Sequence, residues 1–234
     1  MITLDDKKGA TLQSAGTQAK PGDVAVPASW SCSDDRIYMS APEKNQIYVW
    51  KDTLTTNPQV DSRWDAGPRP TRLAVDPRGR WVYAINDGCA TVTVVRADTG
   101  GFVTKLPVGT DSNLIAVSSC GTRLCVASPV SGTVSVFDTD SQQIVEVADP
   151  VWVGAKPSAL ALSPDGGRLF VALDGSKHLV VVDTAGPEPI VLPETIPLGD
   201  GVNGAGSGPE LPEVPVALVV TKPSHSPQKK GNAQ

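Results

Sequence analysis

The side chains best equipped for chemistry are sparse: four cysteines (Cys32, Cys89, Cys120, Cys125) and two histidines (His178, His225) in 234 residues. Zinc is not indicated, because structural sites draw on closely spaced Cys and His ligands and the chain has no Cys-x-x-Cys pair. Haem attachment would need Cys-x-x-Cys-His, which is also absent. Cys120 and Cys125 are the one pair spaced to staple a hairpin by a disulfide; the alternative for Cys125 is a small buried hydrophobe. Neither histidine has a neighbouring nucleophile pattern, and both read as solvated surface groups. The text "GDGVNGAGSGPE" from Gly199 contains Gly-x-Gly-x-x-Gly, yet prolines at 209, 212 and 215 follow where a phosphate-binding helix should begin. It reads as a flexible Gly/Pro-rich loop over 200–212.

These groups must be held by many short strands. Glycine (22) and proline (21) are abundant and no long amphipathic helical run exists, while 40% hydrophobic content suffices for a core. The net charge of -5 argues against a nucleic-acid partner, since neutralising phosphates requires clustered Lys and Arg. No apolar run approaches the ~20 residues of a membrane span, and the first twenty residues lack the apolar segment of a secretory signal, which a longer precursor could carry ahead of Met1.

Self-similarity organises the rest. Pro21 and Val26, Pro70 and Val75, Ser112 and Val117, and Pro157 and Leu162 are each five residues apart. Tyr38, Tyr83, Cys125 and Phe170 each follow a turn residue (Asp34, Gly79, Gly121, Gly166) by four, and Ile47, Val92, Val134 and Leu179 follow those by nine. Each unit supplies a short alternating strand, a tight turn, an apolar strand, a polar loop, a third strand such as "VSVFDT", and a fourth such as "FVTKLPVG" or "QIVEVADPVWVG". Four antiparallel strands per 42 to 49 residues is the pattern of an all-β propeller, whose blades bury both sheet faces against their neighbours; a Greek-key sandwich lacks that recurrence.

The blades fall at 20–66, 67–110, 111–155 and 156–199. Met1 and Asp5 share the spacing of Val134 and Asp138, and of Leu179 and Asp183, so 1–19 reads as the third and fourth strands of a half blade. "EVPVALVV" reads as a closing first strand at 213–222, ahead of a disordered tail at 223–234. Two organisations follow: a ring of about five blades with a composite closing blade, or part of a larger propeller whose open edges permit oligomers.

The segments "LAVDPRGRWVYAIN", "LALSPDGGRLFVAL", "VSVFDTD" and "VVVDTAG" resemble the YVTN family of β-propeller repeats, found in surface-layer-like and lactonase-like propellers. The resemblance implies a propeller fold and a periplasmic or extracellular setting. It also implies where a cation, calcium or magnesium, would be sought: lactonase-like propellers bind one with acidic and amide side chains, and the nearest candidates are Asn86 and Asp87 in "AINDG" and Asp174 in "ALDGS". Asp-Gly and Asn-Asp-Gly are equally what turn chemistry selects. Asp138 and Asp183 are expected to bond the turn that follows the third strand, assisted by Thr139 and Thr184. Trp50 and Trp81 are placed between blades, whereas Trp30, Trp64 and Trp152, if exposed together, would form a protein-contact patch.

Without a convergent His, Cys or carboxylate set, the leading expectation is a non-catalytic scaffold for protein or cell-envelope interaction, with no cofactor of its own. The alternatives are metal-assisted hydrolysis of a lactone or related ester, and a propeller subunit of a redox complex whose cofactor sits on another chain.

Overall fold

The computed structural model of the chain describes residues 36–51, 59–140 and 143–198, together with the backbone of strands at 2–5, 9–12 and 24–25. Strands β1 (Ile2–Asp5) and β2 (Gly9–Leu12) form an antiparallel hairpin in which Asp5 pairs with Gly9. Four sheets follow in chain order. Blade A comprises β3 (Val24–Ala25), β4 (Ile37–Ala41), β5 (Gln46–Lys51) and β6 (Gln59–Asp65). Blade B comprises β7 (Pro70–Val75), β8 (Trp81–Asn86), β9 (Thr91–Arg96) and β10 (Phe102–Pro107). Blade C comprises β11 (Leu114–Val117), β12 (Arg123–Ser128), β13 (Thr133–Asp138), β14 (Val145–Glu146) and β15 (Val151–Trp152). Blade D comprises β16 (Pro157–Leu162), β17 (Arg168–Leu173), β18 (His178–Asp183) and β19 (Ile190–Pro197).

Every strand pair within these sheets is antiparallel, and in blades A, B and D the strands lie in sequence order across the sheet. Blade C departs from the single fourth strand expected of "QIVEVADPVWVG". Its outer edge is split, β14 pairing with Phe137 and Asp138 and β15 with Thr133 and Val134. Asp149 and Pro150 lie between the two halves, and a proline cannot donate to a ladder.

The turns that start each apolar strand are built alike. The amides of Gly79, Gly121 and Gly166 donate to the carbonyls of Asp76, Ser118 and Ser163 at 2.8, 2.8 and 2.9 Å. All three glycines have φ between +69° and +76°, a region in which a side chain would be strained. Gly121 has a second reason: a Cβ there would stand 2.5 Å from a carboxylate oxygen of Asp76 in the preceding blade.

Side-chain alternation divides each central strand between two neighbours. In β8, Val82 and Ala84 join Tyr38, Val49 and Trp64 between blades A and B, while Tyr83 and Ile85 join Leu124, Val126 and Phe137 between blades B and C. Cys125, Val134 and Val136 meet Leu169, Val171 and Val182 between blades C and D. Each such side chain withdrawn from water contributes roughly 1.5–3 kcal/mol, so a sheet buried on both faces needs continuous apolar runs, such as "VYAI", rather than polar alternation. The closing strand expected at 213–222, the Gly/Pro loop at 200–212 and the tail at 223–234 lie outside the described residues. Among the described residues no helix is long and apolar enough to cross a membrane.

Candidate functional site

The loops joining the second and third strands of each blade carry the acidic and amide residues. In blade B, β8 ends at Asn86, whose side chain is buried and hydrogen-bonded through both its nitrogen and its oxygen. Its Nδ2 donates to the Ala66 carbonyl at 2.7 Å, and its Oδ1 accepts from the hydroxyls of Thr93 (2.6 Å) and Thr91 (3.3 Å). Asn86 thereby ties this loop to the connection arriving from blade A. That connection passes so close that a Cβ on Gly67 would stand 2.6 Å from Thr93 Oγ1.

Asp87 and Asp174 occupy equivalent places in blades B and D. Their amides donate to the carbonyls of Arg69 (3.0 Å) and Lys156 (2.9 Å), and their carboxylates face those same residues, Arg69 Nη2 at 2.8 Å and Lys156 Nζ at 3.9 Å. Arg69 and Lys156 have left-handed backbones, φ 47° and 52°, immediately ahead of Pro70 and Pro157. The motif is therefore a basic residue in a strained bend, held by the aspartate that follows the second strand. Both pairs are exposed, so their Coulomb contribution is small and the backbone bonds do most of the positioning. Blade C uses another solution: Asp111 accepts from the Val130 amide, and the hydroxyls of Ser112 and Ser128 meet at 2.7 Å in a buried pair.

A calcium or magnesium ion takes six or more oxygen ligands around one point. Asn86 Oδ1 already accepts two hydroxyls, each aspartate faces a cationic side chain, and blade C, which lies between blades B and D, supplies neither an acid nor an amide at the matching position. Among the described residues no group of three or more His, Cys, Asp or Glu side chains converges as a metal site would require. The three residues as placed do not fit a shared cation.

The opposite end of the blades holds a stronger electrostatic arrangement that the motif search passed over. Asp76 is fully buried; it accepts from Arg80 Nε at 2.7 Å and, more weakly, from the amides of Arg78 (3.3 Å) and Arg80 (3.4 Å). Arg80 then reaches into blade C, donating through Nη2 to the carbonyls of Thr139 (2.8 Å) and Gly121 (3.0 Å). Arg78 donates to the Cys120 carbonyl and pairs with Asp140, both at 2.6 Å. As expected, Asp138 and Asp183 bond the next turn, accepting from the amides of Asp140 and Ala185 at 2.9 Å, and the hydroxyls of Thr139 and Thr184 donate to the turn carbonyls of Gly121 and Gly166. Arginines near the start of the second strand recur in all four repeats (Arg36, Arg80, Arg123, Arg168), a signal legible in the sequence once charged residues are aligned with the apolar slots.

Cys120 and Cys125 are not bridged, a correction to the hairpin staple. Cys125 lies in the interior of β12 among the side chains between blades C and D, where burial pushes its thiol up to about 12. Cys120 sits in the turn with its sulfur 2.9 Å from Thr122 Oγ1 and 3.4 Å from Ser118 Oγ. Burial would raise that thiol, but the Ser118 and Thr122 hydrogen bonds outweigh it and hold the group below its ordinary value. Cys89 is exposed and free, as is the imidazole-bearing surface at His178; Cys32 and His225 lie outside the described residues.

The tryptophans separate rather than gather. Trp64 is 7% exposed, packed at 5.6 Å from the Tyr38 ring between blades A and B, with its indole beneath Gly100. The expectation of an exposed Trp64 is therefore corrected: β6 closes over the junction instead of facing water. Trp152 is 68% exposed at the outer edge of blade C, and Val130, 87% exposed, stands at the same end of that blade. Trp50 and Trp81 are half-buried at the margins of the packed faces, and Trp30 lies outside the described residues.

A family model described as "Lactonase, 7-bladed beta-propeller" matches residues 32–186, about two thirds of the chain. No curated protein sequence matches. Among solved structures, a protein of unknown function from Desulfotomaculum acetoxidans is 14% identical with a TM-score of 0.67, over 78% of this chain and 58% of that one. A candidate 6-phosphogluconolactonase from Bacteroides fragilis is 15% identical with a TM-score of 0.65, over 84% and 64%. The hydrazine synthase of Kuenenia stuttgartiensis is 21% identical with a TM-score of 0.59, over 77% and 51%. The chain thus spans between about half and two thirds of the length of these neighbours, and at such identities the likeness shows the fold alone.

Proposed function

From the premise that the chain belongs to the lactonase, seven-bladed β-propeller family, we propose that it serves as a non-catalytic scaffold of YVTN-type blades that presents its loops and edges to a protein of the cell envelope. The observation that carries this reading is the commitment of the loop side chains. Asn86, Asp87 and Asp174 are each engaged in hydrogen bonds or ion pairs that hold their own loops, and among the described residues no group of three or more His, Cys, Asp or Glu side chains converges. The exposed corner of Trp152 and Val130 supports the binding half of the reading, because aromatic anchors dominate protein contacts.

The test is the doubly substituted chain Val130→Ser, Trp152→Ser. A stoichiometric complex recovered with the native chain from its own source should weaken by at least about tenfold in affinity, the effect of losing one aromatic anchor worth ~1.4 kcal/mol or more. A partner held equally well by the variant would contradict the patch.

Lactone hydrolysis is the second reading, supported by the family itself and by neighbours described as candidate 6-phosphogluconolactonases. It requires turnover of a sugar lactone that falls at least about a hundredfold in Asp87→Ala or Asp174→Ala. Such a result would replace the scaffold reading.

A further inference from the structure

Blade C carries an outer edge that packing alone does not explain. The blade is covered on both faces, by B and by D, so its outer strands are open to water at the rim and not because a neighbouring blade is lacking. At that rim Trp152 of β15 and Val145 of β14 are both exposed. Register puts Trp152 opposite Thr133 and Glu146 opposite Phe137, on the side that faces blade B. Those two positions of β13 are four residues apart, about 13 Å along the strand.

Negative charge collects in the same blade. Over 111–155 the acidic residues Asp111, Asp138, Asp140, Glu146 and Asp149 stand against the single cation Arg123, an excess of four in a chain whose net charge is -5. Asp138 is paired with Arg123, Asp140 with Arg78, and Asp111 accepts the Val130 amide. Glu146 and Asp149 have no ion pair among the described residues. Burial and then Asp149 raise the Glu146 carboxyl, with no cation opposing them. Two like charges beside an exposed indole add nothing to stability, and a local conflict of this kind is characteristic of a functional surface.

The conflict also selects among occupants. A metal ion would need further ligands, and among the described residues no group of three or more His, Cys, Asp or Glu side chains converges. An isologous contact with a second copy would bring the acidic edge against itself, and an anionic lipid surface would repel it. Strand addition is interrupted at Asp149 and Pro150, where the edge is split. A cationic partner held by side chains meets all of these conditions. Resting on the scaffold reading above, we propose that the outer edge of blade C binds an extended basic segment of the partner protein, one Arg or Lys side chain lying over the Trp152 indole and a second, four residues along, meeting Glu146 and Asp149. Alternate residues of an extended segment share a face, so its positions i and i+4 span the same ~13 Å.

The probe is a fluorescein-labelled peptide, Ser-Arg-Ser-Leu-Ser-Arg-Ser, titrated with the full chain and read by anisotropy beside its Glu-for-Arg counterpart and an isomer with adjacent arginines. The native chain should bind the first at least about tenfold tighter than the Glu peptide and about threefold tighter than the isomer. That preference should shrink as salt rises from about 0.1 M to about 1 M, which shortens the screening length from roughly 10 to roughly 3 Å. Trp152→Ser, and separately Glu146→Gln with Asp149→Asn, should each weaken binding about threefold to tenfold. All three side chains are at the rim, and far-UV circular dichroism verifies the fold of each variant. Equal affinity for the first peptide and either of the others, affinity unchanged in either variant, or a dimer of the native chain that is abolished by Trp152→Ser would overturn the proposal. The natural partner separates it from the scaffold reading: a complex weakened by Val130→Ser, Trp152→Ser yet indifferent to salt and to Glu146→Gln, Asp149→Asn would leave the scaffold standing and overturn the basic segment.

Discussion

The prediction that bears most directly on how the blades hold together concerns Arg80. Arg80→Met keeps the aliphatic stem but removes the Nε bond to Asp76 and the Nη2 bonds to Thr139 and Gly121. The carboxylate of Asp76, buried in the native fold, would be left with two weak amide donors at 3.3 and 3.4 Å. Removing one partner of a buried ion pair costs about 3–5 kcal/mol because the remaining charge stays desolvated. Arg80 is itself 28% exposed, so water relieves part of that penalty and the expected loss is about 3 kcal/mol. Guanidinium unfolding followed by far-UV circular dichroism, with the slope unchanged, measures it. The double variant Asp76→Asn, Arg80→Met has no stranded charge and should recover at least half of the loss. A single-variant loss below about 1 kcal/mol, or a double variant no more stable than the single, would refute the reasoning.

Other outcomes follow from groups already placed. Tyr83 Oη is buried with no hydrogen-bond partner among the described residues, whereas the equivalent Tyr38 hydroxyl reaches Ala97 O at 3.3 Å; Tyr83→Phe should leave stability unchanged or raise it by up to about 1 kcal/mol, measured by thermal unfolding. Alkylation with iodoacetamide at pH 8, read by peptide mapping, should label Cys120 about a thousandfold faster than Cys125, whose thiol is raised to about 12; equal labelling would show that blade C opens readily. Desolvation first, then Asp149, raises the Glu146 carboxyl above its ordinary value, so folding favours its protonated form. That contribution is present at low pH and is lost as pH rises through the raised folded value. Glu146→Gln should therefore raise the unfolding midpoint at pH 7, and the difference should vanish toward pH 4.

The blade pattern was legible because its causes are local. A turn glycine forced to positive φ, followed four residues later by a core side chain, repeats wherever a sheet must be covered on both faces, and Gly79–Tyr83, Gly121–Cys125 and Gly166–Phe170 show it. The split edge of blade C was less legible, since "VEVADPVW" has strand composition throughout and only Pro150 hints that the ladder is interrupted. The fate of Trp64 was hidden for a different reason: its burial depends on Tyr38 in its own blade and Gly100 in the next, contacts that no local periodicity encodes. The same holds for Asn86 and Asp87. Their types suit a cation or a turn equally, and only the positions of Ala66, Thr93 and Arg69 show how the loops employ them. The arginines that join the blades were visible as residues, but their acceptors are backbone carbonyls about sixty positions away and carry no sequence signature.

The central claim is that the acidic and amide side chains at the blade loops serve structure rather than a cation. Calorimetric titration of the full chain with calcium and with magnesium measures this most directly. The account predicts no saturable binding tighter than about 1 mM, the weak end of protein calcium sites, and Asp87→Ala indistinguishable from the native chain. One-to-one binding in the micromolar range that disappears in Asp87→Ala and in Asp174→Ala would contradict it.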